Sequence, residues 1–204
     1  MKKNVLMVTD GWIHPPVMAR FWLSYFMTLP EYQYKRIHSM EALIDIDLTP
    51  FSAMVLYFHH DRISKRALDA FDDFVSGSGG VLGIHSVTAS FTETDRFTEI
   101  LGGKFIEHGP VEAFEVSPIP TKSNIFQSIT SFSVVDELYI HDLQPDIETH
   151  FATNYEGQQV PMIWTRTYGQ GRICYACPGH RSASLRVPEY QEILIQGLNW
   201  VSKR

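Results

Sequence analysis

Residues 79–90 read Gly79-Gly80-Val81-Leu82-Gly83-Ile84-His85-Ser86-Val87-Thr88-Ala89-Ser90. Val81 to Ile84 is a short, wholly apolar run, as expected of a strand covered on both faces in a parallel sheet. It stops at His85 and Ser86, where a sharp turn into a helix or loop is due. In several α/β enzyme folds that turn presents a nucleophile on a strained backbone. Here it presents a histidine.

Working outward from this strand, the first half alternates regularly. Asn4 to Thr9 is a buried strand, Asp10 to Pro16 a Gly- and Pro-containing loop, and Val17 to Leu29 a helix with Pro16 suited to its first turn. Tyr34 to Ser39 is a weaker strand and Ser52 to Phe58 a strongly apolar one. Ser64 to Val75 has helical spacing, with Leu68, Phe71 and Val75 on one side. Alternation of this kind predicts a parallel sheet with helices on both faces. After residue 102 the pattern changes. Lys104–His108, Val111–Val116, Phe132–Tyr139, Thr149–Asn154, Met162–Thr167 and Arg172–Cys177 are all strand-like, with no clear helix between them. The second half is expected to add antiparallel strands. Pro188 to Val201 closes the chain as an amphipathic helix. The fold class is α/β, a mostly parallel doubly wound sheet with helices on both faces, in a single domain over residues 1–204.

Composition narrows the function. At 204 residues the chain suits one domain. The 17 basic residues are outnumbered by 23 acidic ones and form no block, so no nucleic-acid partner is expected. No apolar run approaches a membrane span, and Asp10 interrupts the opening one, so a cytoplasmic location is expected. Cys174 and Cys177 have the spacing of a redox or zinc pair. They fall in a strand, however, where residues three apart point to opposite faces. They are expected to be core thiols. Gly77-Ser78-Gly79-Gly80 precedes a strand and is misplaced for cradling a phosphate, so NAD or ATP is not expected.

Ligands of open parallel sheets bind beyond the carboxyl ends of the strands. The polar residues expected there are Asp10 and His14, then His59, His60 and Asp61, then His85 and Ser86, His108, Glu137 with Tyr139, and His180. His38, His59, His60, His141 and His150 read as ordinary solvated loop histidines. His85 and His180 follow apolar strands in Gly-containing contexts and are expected to be enclosed. Histidine titrates near neutrality, donates and accepts at once, and ligates metals. Two or three histidines with Glu137 suit an acid–base pair around a sugar. They also leave a divalent metal such as zinc open, although no short-range metal motif is present.

The ordered set Gly79-Gly80…Gly83-Ile84-His85-Ser86, Leu101-Gly102-Gly103-Lys104-Phe105…His108, Asp136-Glu137-Leu138-Tyr139, Pro161…Trp164…Gly169-Gln170-Gly171-Arg172…Gly179-His180 and Gly197-Leu198-Asn199-Trp200 resembles the trehalose-utilisation, or ThuA-like, family. The resemblance runs through most of the chain. It implies the flavodoxin-like fold of class I glutamine amidotransferases. In those enzymes the elbow reads Gly-x-Cys and a later His-x-Glu completes the triad. Here Gly83-Ile84-His85 puts histidine at the cysteine position, and His180-Arg181-Ser182 offers serine for the glutamate. Glutaminase chemistry is therefore not expected.

The resemblance also implies a role in bacterial sugar catabolism and a small carbohydrate ligand, such as a keto-glycoside. For such a ligand His85, His180 and Glu137 suit the acid and base roles. Asp10, Trp12, His14, Ser86, His108 and Tyr139 suit binding; Trp12, Tyr139 and Trp164 are rings that could stack on a sugar, although each reads first as a core or rim aromatic. Two classes remain at this stage: an enzyme acting on a sugar or keto-sugar, and a non-catalytic carbohydrate-binding or regulatory protein. A homo-oligomer is left open.

Overall fold

The computed structural model describes residues 2–10 and 29–203. The expected helix from Val17, and with it Trp12 and His14, lies outside them. Nine strands form one sheet in the order β2-β1-β3-β4-β9-β8-β7-β5-β6. The first five in that order are mutually parallel, and the 2-1-3-4 succession is the flavodoxin-like one. They are β1 (Lys3–Asp10), β2 (Tyr32–Ile37), β3 (Phe51–Phe58), β4 (Gly80–Ile84) and β9 (Gly171–Ala176). The apolar runs behave as the sequence predicts, since Val5 to Val8 and Ala53 to Leu56 are fully buried.

Helix α1 (Lys65–Ser76) starts where the Ser64 hydroxyl accepts the Ala67 N–H at 3.2 Å. Helix α2 (Asp95–Leu101) stops at Gly102, whose φ of 88° is the left-handed conformation that glycine adopts without strain. At seven residues it is too short to show periodicity, and the sequence does not announce it. Helix α3 (Pro188–Val201) begins on a proline. Gly197 of α3 packs against Leu82 and Cys174, whereas Gly83 and Tyr175 face Leu101 of α2. The sheet is thus covered on both faces.

The second half is antiparallel, comprising β5 (Gly103–Pro118), β6 (Phe132–Leu143), β7 (Glu148–Tyr155) and β8 (Gln158–Tyr168). What reads as two strands, 104–108 and 111–116, is one bent strand of 16 residues. The register shifts between Phe105 and Glu107 and again between His108 and Val111, around Pro110, which lacks the N–H a regular ladder requires. Strands β5 and β6 form a long ribbon. It joins the main sheet only where Ser117 and Pro118 pair with Ala152 and Phe151.

Two histidine expectations need correction, whereas Trp164 is the fully buried core residue that the sequence favours. Its ring lies 4.1 Å from that of Tyr175, and its indole N–H donates to the Leu101 carbonyl at 3.1 Å. His141 and His150 are not solvated loop residues. They sit on β6 and β7 because a strand whose two faces both pack encloses whatever side chain it carries. His150 is buried, with Nε2 2.7 Å from the Thr165 hydroxyl. The two cysteines behave as expected. Both are buried and unpaired with each other, Cys174 beneath α3 and Cys177 just past the end of β9. Burial pushes the Cys174 thiol up to about 12, so it stays protonated and inert.

Burial outweighs the nearby Glu148 charge and lowers the His150 pKa from 6.5 to about 4. Below about 6.5 the unfolded chain takes up a proton that the native state refuses, so stability falls as pH drops from 6.5 towards 4. Urea denaturation across that window is expected to show this loss, and His150→Gln to reduce its slope.

Candidate functional site

His85 follows β4 and opens a 3-10 turn, His85–Ala89. Its φ is 50°, a left-handed backbone that costs a non-glycine residue about 1–3 kcal/mol and needs surrounding structure to hold it. That structure is present. Nδ1 lies 2.9 Å from the Cys177 carbonyl, which can only accept, so Nδ1 carries the hydrogen. The Tyr175 hydroxyl donates to the His85 carbonyl at 2.7 Å, and the Tyr139 ring lies 4.2 Å from the imidazole. Gly179 presses on the same residue. A Cβ there would stand 2.7 Å from that of His85, so only glycine permits the approach.

With Nδ1 committed, Nε2 points at Glu137 on β6, 3.5 Å from Oε2. The same carboxylate oxygen is 3.2 Å from Nδ1 of His180, and Oε1 is 4.0 Å from Nδ1 of His108. Three imidazoles from three parts of the chain therefore surround one carboxylate. Burial alone would raise the Glu137 pKa. The hydrogen bond from His85 and the charges of His180, His85 and His108 outweigh it and bring it to about 2. Glu137 is an anion throughout the working pH range. Burial and that anion push the Tyr139 phenol well above its ordinary value, so it remains a neutral donor.

Access is graded. The His85 side chain is wholly covered, those of Glu137 and His180 are 12% and 26% exposed, and that of His108 is 45% exposed at the rim. Ser86 does not face the site. It is buried, and its hydroxyl donates to the Phe58 carbonyl at 2.9 Å, so its expected ligand-binding place is corrected to a structural one. Asp10 ends β1 at the same end of the sheet, where its charge acts on His60.

Two residues that matter here were not singled out from sequence. Asp136 is fully buried and accepts the N–H groups of Gly179 at 3.1 Å, His180 at 2.9 Å and Arg181 at 3.4 Å, together with the Ser184 hydroxyl. It docks the loop that carries His180. The adjacency Asp136-Glu137 was the available signal, one carboxylate turned to the loop and the next to the site. His141 is the other. Its Nε2 lies 3.0 Å from the Thr88 hydroxyl, and desolvation, with the His85 charge adding to it, lowers its pKa to about 3. It is a neutral prop beneath the His85 turn.

Among the described residues, His85, Glu137 and His180 also form a group able to hold a metal ion, their ligand atoms all lying within 4.8 Å of one another. His85 stands on the turn after β4, and the Glu137 carboxylate reaches it from β6. The chain belongs to the trehalose-utilisation (ThuA) family, whose model matches residues 4–201. Solved structures agree in fold. A ThuA-like protein of Parabacteroides merdae has a TM-score of 0.84 at 14% identity, covering 100% of this chain and 91% of that one. A cytoplasmic protein of Salmonella typhimurium LT2 has a TM-score of 0.76 at 14% identity, covering 98% and 100%. A GH42 beta-galactosidase of G. stearothermophilus has a TM-score of 0.64 at 11% identity, with 98% of this chain covering 30% of that one. No curated protein matches the chain.

Asp136→Asn removes the charge and an acceptor while keeping the shape. Hydrogen bonds to charged groups are worth about 1.5–3 kcal/mol, and a loss of stability of that size is expected in urea denaturation. Faster amide exchange at Gly179, His180 and Arg181 should accompany it.

Proposed function

We propose that this protein processes a small carbohydrate at the His85–Glu137–His180 cluster, acting on a sugar or keto-glycoside by proton transfer and without glutaminase activity. The observation that carries the reading is the meeting of two imidazoles with one anionic carboxylate, 3.5 and 3.2 Å away, beyond the strand ends. The family's trehalose-utilisation description supports the substrate class.

A ketone beside a glycosidic carbon makes the intervening C–H acidic. Elimination then needs a base for that proton and an acid for the departing oxygen. Glu137 is the anion of the cluster and suits the base. His180, partly exposed and 3.2 Å from it, suits the acid that protonates the leaving alkoxide as the C–O bond breaks. His85 is wholly buried and acts through Glu137, holding its carboxylate in place. His108 and Tyr139 line the approach and suit sugar hydroxyls. Trp12 and His14 keep their proposed binding places outside the described residues.

His180→Ala and Glu137→Gln are expected to lower turnover of a 3-keto-disaccharide by roughly 10²–10⁴-fold, the usual contribution of a positioned acid or base. His85→Ala should lower it too while the circular dichroism stays native. Unchanged turnover in all three would sink the reading. Saturable binding and thermal stabilisation by the sugar with no turnover in the parent protein would instead make this a carbohydrate-binding protein.

A further inference from the structure

We propose that His85 Nε2, Glu137 Oε2 and His180 Nδ1 together bind one divalent transition-metal ion, zinc being the best match, with a coordination position left open towards His108. The inference rests on the reading above only for its location, because it concerns the same three side chains.

Three observations carry it. The first is spacing. Tetrahedral zinc with bonds of about 2.0–2.1 Å sets neighbouring ligand atoms roughly 3.3 Å apart. The observed separations are 3.5 Å from His85 to Glu137 and 3.2 Å from His180 to Glu137, and all three ligand atoms fall within 4.8 Å of one another. The three atoms are spaced as ligands of one ion would be.

The second is the tautomer. Metal-bound histidines commonly donate their other ring N–H to a carbonyl or carboxylate, which fixes the ring and turns the lone pair to the ion. His85 Nδ1 is committed in this way at 2.9 Å to the Cys177 carbonyl, which leaves Nε2 as the ring nitrogen turned to Glu137 and His180.

The third is the donor set and its access. Two imidazoles with one carboxylate suit zinc and related first-row ions rather than magnesium or calcium, which prefer oxygen alone. Exposure rises from His85 through Glu137 and His180 to His108, so the open side of such an ion faces the solvent entrance. An ion there supplies a Lewis acid for a keto-sugar's carbonyl oxygen.

The test is titration of zinc chloride into the tag-free, chelator-treated protein by calorimetry, with elemental analysis of the dialysed product. One equivalent of zinc is expected. Glu137→Gln and His180→Ala should each weaken binding by more than the roughly 10–100-fold that follows loss of an outer partner. His38→Ala, an exposed site after the edge strand β2, should leave it unchanged. Cobalt(II) gives a second readout, since four-coordinate cobalt absorbs strongly in the visible and the two variants should lose that band. Absence of zinc uptake, or uptake equal in parent and Glu137→Gln, overturns the metal site and leaves the acid–base reading to be judged by turnover. Stoichiometric zinc in a protein that turns over no keto-sugar upholds the site and removes the proposed activity.

Discussion

The buried carboxylate of Asp136 is the interaction on which the site depends. An ionised carboxylate removed from water is strongly destabilising unless hydrogen bonds replace its hydration. Asp136 has the Glu137 N–H, the Ser184 hydroxyl and three N–H groups of the loop after β9 to do so. The exchange works in both directions, because the loop N–H groups have no strand of their own to satisfy them. The loop after β9 is thereby fixed against β6. Successive residues of a strand point to opposite sides, so the carboxylate that docks the loop is necessarily next to one that faces away from it. Glu137 is that neighbour, and His180 is delivered to it by the same loop.

The second constraint is the turn at His85. A left-handed backbone at a bulky residue persists only where its surroundings leave no alternative. Tyr175, the Cys177 carbonyl and the close face of Gly179 leave none. The turn after β4 holds an imidazole at the end of that strand. What the strain secures is direction: one ring nitrogen is committed to the backbone and the other to Glu137.

The fold was legible because its parallel half is built from runs such as Val5 to Val8 and Ala53 to Leu56, whose burial on both faces follows from composition alone. His85 was legible for the same reason, since a residue ending such a run is enclosed whatever it is. Glu137 and His180 were visible as strand-end polar groups, but their meeting was not, because no local pattern encodes which strand ends converge. Ser86 shows the opposite error. A polar residue at a strand end looks available until a partner is seen, and its partner is the Phe58 carbonyl. Asp136 and His141 were missed because their value lies wholly in long-range contacts. Membership of the trehalose-utilisation family, inferred from an ordered set of weak motifs, needed no such contacts.

The ribbon of β5 and β6 has a geometric consequence. In hydrogen-bonded order β6 stands five strands from β4, yet Glu137 and His85 touch. Strand β5 pairs with β7 through Ser117 and Pro118 and shifts register on either side of Pro110, and this bent ribbon carries Glu137 back to the end of β4. Two strands remote from each other along the ladder thus meet across the site, as the two ends of a clasp do.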